Sequence, residues 1–129
     1  HLPKYPMIGD TELAVAKLYH MLPAEEPGTS EGRTAATNAT VRSVFIIGPD
    51  KKLKLSMTYP MNVGRNFAEV LRALDALQTA NGKGVATPAN WEVGQDVIVP
   101  GAVSDADAEA KFGEIRKVLP YLRYTKVPA

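Results

Sequence analysis

The sequence predicts an α/β fold, and three observations predict it. Residues 40–60, TVRSVFIIGPDKKLKLSMTYP, read as a β-hairpin. Residues 66–80 carry apolar side chains at helical spacing. Residues 97–125 hold a compact apolar strand, a helix with a capping signal and an aromatic-rich strand.

The hairpin is the clearest element. Residues 43–47 are nearly all apolar and rich in β-branched and aromatic side chains. That suits a central strand covered on both faces. Gly48-Pro49-Asp50 supplies the turn, because proline presets φ and an aspartate can bond its own backbone. Residues 52–59 then alternate: Leu53, Leu55, Met57 and Tyr59 point one way, Lys52, Lys54, Ser56 and Thr58 the other. Arg42 precedes the apolar run, where a charge is costly unless an anion or a carboxylate meets it.

Ahead of the hairpin, residues 1–9 give a short strand or an extended lead-in. A helix follows, with Asp10 or Thr11 as its N-cap and Leu22-Pro23 as its end. His20 falls near that helix's C-terminus. Residues 23–39 are Pro-, Gly-, Ser- and Thr-rich and read as a loop. Asn38-Ala39-Thr40 matches a glycosylation sequon, read here as chance.

After the hairpin, Phe67, Val70, Leu71, Leu74 and Leu77 form one stripe on the 66–80 helix. Glu69, Arg72 and Asp75 lie off it and can pair at i,i+3. Gly82 and Gly84 are the stop signals. Arg65 stands just before the helix, where a cation opposes the helix dipole. It is either solvated or receives an anion. Trp91, among Pro, Asn and Gly, reads as a packing anchor. Residues 97–99 form a strand. Ser104 with Asp107 begins a helix whose apolar side is Phe112, Ile115, Val118 and Leu119, weakened by Gly113. Residues 121–125 make a last strand.

Composition excludes several chemistries. There is no cysteine, so no disulfide, thiolate metal site or cysteine nucleophile lies in these 129 residues. Two histidines cannot build a conventional zinc site. A formal net charge of +1 gives no argument for nucleic acid or an anionic membrane, and no run is long enough for a membrane helix. A cytoplasmic location is the expectation. The acidic residues are scattered, so paired-carboxylate catalysis has no support. What remains is Arg42 and Arg65, the latter in a Gly64-Arg65-Asn66 turn. Arg42 is either functional or half of a structural ion pair.

Four blocks carry a family resemblance: YPMIGDTELAVAKLYHML, then TVRSVFIIGPDKKLKLSMTYPMNVGRNFAEVLRALDALQ, VATPANW and YLRYT. Together they resemble the C-terminal portion of a one-cysteine peroxiredoxin of the peroxiredoxin-6 type. The resemblance implies the C-terminal part of a thioredoxin-like fold over 1–84, a hairpin plus helices. A small α+β dimerisation extension over 85–129 would follow. It implies a thiol peroxidase that reduces hydrogen peroxide and organic hydroperoxides and is restored by an external thiol or other reductant. The partners implied are that peroxide, that reductant and a second copy of the chain. No metal, haem or flavin cofactor, no nucleic acid and no membrane span is implied.

Residue by residue, Arg42 takes the place of the family's active-site arginine. A guanidinium there lowers a thiol pKa and stabilises charge on a leaving oxygen. Arg65 takes the supporting arginine of the GRN turn. Asp50 matches an acidic position proposed for phospholipase activity in some members, and a turn role is sufficient for it. The family's Pro-x-x-x-Thr-x-x-Cys half is absent from this sequence, so the chain reads as a piece beginning mid-domain and is expected to be inactive alone. A non-catalytic dimerisation module derived from a peroxiredoxin is the alternative. The 28–39 loop and the 110–120 stretch depart from the family pattern.

Overall fold

The hairpin forms where alternation and turn chemistry place it. In the computed structural model, which describes residues 2–22, 31–34 and 40–128, strand β1 (Arg42–Ile47) pairs antiparallel with β2 (Leu53–Tyr59). Arg42 lies opposite Tyr59 and Ile46 opposite Leu55, with a register shift between Ile46 and Ile47. At the turn, Gly48 N–H donates to the Lys52 carbonyl and Lys51 N–H to the Gly48 carbonyl. The Asp50 carboxylate accepts from Lys52 N–H at 3.2 Å, the local bond that suits aspartate to turns. Lys51 takes a positive φ of 60°. On β2, Leu55, Met57 and Tyr59 are half-buried while Lys54, Ser56 and Thr58 are exposed, as the alternation requires, but Leu53, next to the turn, is exposed.

One expectation about the hairpin fails. Strand β1 is not a central strand covered on both faces. Among the described residues its sheet has two strands, so β1 has a neighbour on one edge only. Val44, Phe45 and Ile46 are half-buried, and Arg42 is exposed rather than set into a buried run.

The first helix is shorter than expected. Helix α1 spans Ala14–Leu18 and does not continue to Leu22. Asp10 supplies its cap from a distance: its carboxylate accepts from Val15 N–H at 2.9 Å and Ala16 N–H at 2.8 Å. Those two bonds satisfy donors that a helix start leaves unpaired, and they hold the Asp10 carboxyl below its ordinary range, Val15 first. The cap position is Leu13, buried in the left-handed region at φ 56°. His20 is exposed just past the helix, at φ 51°. Tyr19 packs on Phe45 of β1 with ring centroids 4.8 Å apart. Met21 accepts from Val41 N–H, joining the segment to the hairpin. Residues 2–10 contain no strand. Most of the 23–39 loop, with Asn38 and Ala39 of the sequon, lies outside the described residues.

These elements belong to one compact unit, His1–Arg65; a second runs Asn66–Ala129. The compact division falls ahead of the 66–80 helix. The resemblance implies a boundary at 84/85 instead.

In the second unit, helix α2 (Phe67–Lys83) starts at Asn66, whose side chain accepts from Glu69 N–H at 3.2 Å. It ends at Gly84, whose φ of 66° is the left-handed turn glycine permits; Gly82 lies inside the helix and does not stop it. Only part of the expected stripe is covered: Val70, Leu74 and Leu77 are half-buried. Ala73 and Ala76 are buried, while Phe67 and Leu71 are each 62% exposed. The reason is size. Trp91 is buried against this face with Val85, Val97 and Ala76, and small side chains on the helix admit the indole.

Strand β3 (Val97–Ile98), helix α3 (Asp105–Phe112), β4 (Arg116–Leu119) and β5 (Leu122–Thr125) complete this unit. The sheet order is β3-β5-β4, antiparallel throughout. Ser104 Oγ accepts from Asp107 N–H at 3.1 Å and donates to the Asp107 carboxylate at 2.6 Å, the expected cap. Helix α3 stops at Phe112 because Gly113 takes φ 81°. Ile115, Val118 and Leu119, expected on its apolar side, lie beyond it, Val118 and Leu119 on β4. Among the described residues no helix is long and apolar enough to cross a membrane.

Candidate functional site

Arg42 opens β1, and the strand fixes its backbone opposite Tyr59. Beside it, Ser43 and Thr58 side chains are hydrogen-bonded at 3.1 Å across the pair. Arg42 Nε donates to the Met61 carbonyl at 2.7 Å. That carbonyl follows the end of β2, so the sheet and the next turn together hold the guanidinium stem. An arginine has five N–H donors in a rigid fork. Among the described residues, the Nε bond is the one that holds Arg42, and both Nη groups are left to donate elsewhere. The residue is exposed, so those donors are reachable. No carboxylate among the described residues pairs with it, which removes the structural ion-pair reading there.

Such a fork can donate two parallel bonds to an anion or to adjacent oxygens. It can stabilise charge developing on a leaving oxygen. It supplies no nucleophile, and the chain has no cysteine. Arg65 is exposed and falls a few residues after Met61, in the same unit. Asp50 is committed elsewhere. Its carboxylate meets Lys54 Nζ at 2.7 Å, which first and foremost holds its pKa below the ordinary value. An aspartate so engaged in a turn explains itself. Among the described residues no group of His, Cys, Asp or Glu is placed to hold a metal ion.

The second unit holds two arginines of another kind. Arg72 Nε and Nη2 donate to both Glu69 oxygens at 2.6 and 2.8 Å, and Nη1 to the Trp91 carbonyl at 3.1 Å. The Arg72 hydrogen bonds hold the Glu69 carboxyl below its usual range. The pair borders an open cleft of about 440 Å³ with Asn66, Leu71, Asp75 and Glu92. Because Arg72 is spent on Glu69 and Trp91, the described residues of the cleft offer no unengaged cation. Trp91 Nε1 in turn donates to the Gln95 carbonyl at 3.1 Å. The tryptophan is thus a satisfied packing anchor, as its context suggested.

Arg123 was invisible to sequence reasoning as anything but a strand residue. It is buried on β5. Nη1 donates to Asp105 at 2.7 Å, and Nη2 to the Pro100 and Val103 carbonyls at 3.0 and 2.8 Å. Among the described residues its Nε has no hydrogen-bond partner. Lys117 reaches the other Asp105 oxygen at 2.7 Å, and Lys117 ahead of Arg123 holds that carboxyl low. No signal in the sequence joins residues so far apart. The Ser104 cap, which places Asp105 at a helix start, was the one available hint.

Comparison with known proteins agrees with the resemblance. Residues 76–114 match the model of the C-terminal domain of 1-Cys peroxiredoxin. The chain is 50% identical over 123 residues to the mitochondrial peroxiredoxin PRX1 of Saccharomyces cerevisiae, covering 95% of this chain and 46% of that protein. It is 44% identical over 129 residues to 1-Cys peroxiredoxin A of Oryza sativa, covering 95% of this chain and 56% of the other. To mouse peroxiredoxin-6 the identity is 44% over 131 residues, with 96% and 56% covered. A solved yeast mitochondrial 1-Cys peroxiredoxin superposes with a TM-score of 0.83 at 50% identity, over 95% of this chain and 56% of that one. Peroxiredoxin 6 of Arenicola marina, solved as a cysteine-to-serine mutant, gives 0.82 at 44% identity, over 97% and 57%. The chain spans about half the length of the curated relatives it matches. Over that span its fold is the C-terminal part of the one-cysteine peroxiredoxin fold. The cytoplasmic expectation is corrected: a relative half identical to this chain is mitochondrial, and neither composition nor charge carries a compartment signal that outweighs it.

Proposed function

We propose that this chain is the arginine-bearing part of a thiol peroxidase of the one-cysteine type. A cysteine thiolate carried outside these residues attacks the peroxide O–O bond and becomes a sulfenic acid, and an external thiol restores it. Arg42 donates to the peroxide and to the oxygen that leaves, and Arg65 supports it from the following turn. Residues 85–129 serve as a dimerisation extension. The observation that carries the reading is Arg42, fixed through Nε to the Met61 carbonyl with its terminal donors reachable. The relatives, peroxiredoxins matched along 95% of the chain, support it.

Peroxide consumption with a thiol reductant tests this in two proteins. The chain alone is expected to show no turnover above a protein-free control, because it has no thiol. The yeast relative with its matching segment replaced by this chain is expected to turn over peroxide. A folded but inactive chimera would sink the proposal. It would favour the second reading, a non-catalytic dimerisation module derived from a peroxiredoxin, which the missing cysteine makes reasonable.

A further inference from the structure

The residue that anchors the peroxide-facing guanidinium is a methionine, and its side chain carries a nucleophilic sulfur. In a chain without cysteine, the thioethers of the four methionines are its only sulfurs. Met61 is 41% exposed, and its carbonyl holds Arg42 Nε at 2.7 Å. One residue thus carries both the carbonyl that holds the stem of the Arg42 fork and an exposed thioether. Met7 is the natural control. It is 73% exposed and belongs to the segment 2–10, which has no hydrogen-bonded partner strand.

We propose that Met61 is an oxidation site directed by Arg42, taking hydrogen peroxide or a small organic hydroperoxide. The reading rests on the assignment of Arg42 as the peroxide-holding group. The sulfur lone pair attacks the terminal peroxide oxygen. The S–O bond forms as the O–O bond breaks, and two electrons pass from sulfur to peroxide. The leaving oxygen carries away that bond's electron pair and takes up, through solvent, the proton released from the transferred oxygen. The products are methionine sulfoxide and water, or an alcohol. Arg42 N–H groups stabilise the negative charge on the leaving oxygen. The product places a polar, chiral S=O where an apolar thioether stood, on the turn that fixes Arg42. Oxidation at Met61 thus bears on how the guanidinium is held, which a remote methionine does not.

The test follows site-resolved oxidation of the 129-residue chain in dilute hydrogen peroxide by peptide mass spectrometry. Met61 is expected to oxidise about threefold to tenfold faster than Met7, against the order that exposure sets. Arg42→Lys, which keeps a charge but loses the fork, is expected to bring the two rates level while Met7 is unchanged. Should that variant unfold, the wild-type chain in concentrated guanidinium chloride serves instead, and there all four methionines are expected to oxidise at similar rates. Met7 outpacing Met61 in the native chain would overturn the proposal, as would a native preference that survives Arg42→Lys or denaturation. Loss of the Met61 preference together with an active chimera would refute this inference and leave the peroxidase reading standing. An inactive chimera with the preference intact would do the reverse.

Discussion

Arg42 in the first unit and Arg72 and Arg123 in the second are held in opposite ways. In the second, Arg123 is buried and spends its terminal nitrogens on Asp105 and two backbone carbonyls, and Arg72 is fastened to Glu69. In the first, Arg42 is exposed and, among the described residues, fixed by Nε alone. A guanidinium whose terminal nitrogens are met inside the fold is a structural tie. One held by its stem, with its fork outward, is organised for something else. Burial and partners, not residue type, separate the two.

Substitutions can break that comparison, and the largest effect falls on the second unit. Trp91→Ala empties the site where Ala76, Val85 and Val97 pack and should cost about 3–5 kcal/mol, read by urea denaturation. Arg123→Ala strips Asp105 and the Pro100 and Val103 carbonyls of their donor. It should cost about 2–4 kcal/mol, less than a fully buried pair because Asp105 is itself exposed. Ser104→Ala removes the α3 cap for about 1 kcal/mol. Arg42→Ala should move the melt by no more than about 0.5 kcal/mol, since an exposed side chain with one hydrogen bond among the described residues contributes little. A loss for Arg42→Ala as large as that for Arg123→Ala would erase the distinction.

Acid sharpens it further. Asp105, Asp96, Asp50 and Asp10 all have carboxyls held below their ordinary values, Asp105 by Lys117 and Arg123, Asp96 by Lys126 ahead of Arg116. A depressed folded pKa means the unfolded chain binds more protons. The stabilisation is then present above the unfolded value, about 3.9, and is lost as pH falls through the lower folded ones. Thermal melts should be flat from pH 7 to about 5 and fall below about 4. Asp105→Asn should blunt the fall. A steep loss between about pH 7 and 5 would contradict the assignment.

The hairpin was legible because strand alternation and turn chemistry are local, and Gly48 to Lys52 closed as those residues dictate. The Ser104 cap was legible for the same reason. What failed depends on distant partners. The apolar stripe of α2 marked a helix correctly but only part of its covered face, because its fully buried positions are the small Ala73 and Ala76, the latter packed with Trp91. Residues 115–119 read as helical until Gly113, at a positive φ, ends α3 and β5 offers them a strand partner. Arg42 was noticed as a misplaced charge, yet it lies exposed in a sheet that among the described residues has two strands, which no local pattern announces. Arg123 needed three partners scattered from residue 100 to 105.

One measurement addresses directly what Arg42 does with its outward donors. In the peroxidase chimera, Arg42→Ala is compared with the parent for kcat/KM toward hydrogen peroxide, with the melting midpoint followed alongside. Loss of donors to the leaving oxygen predicts a fall of about a hundredfold in kcat/KM at an unchanged midpoint. An unchanged kcat/KM in a folded Arg42→Ala chimera would contradict the account.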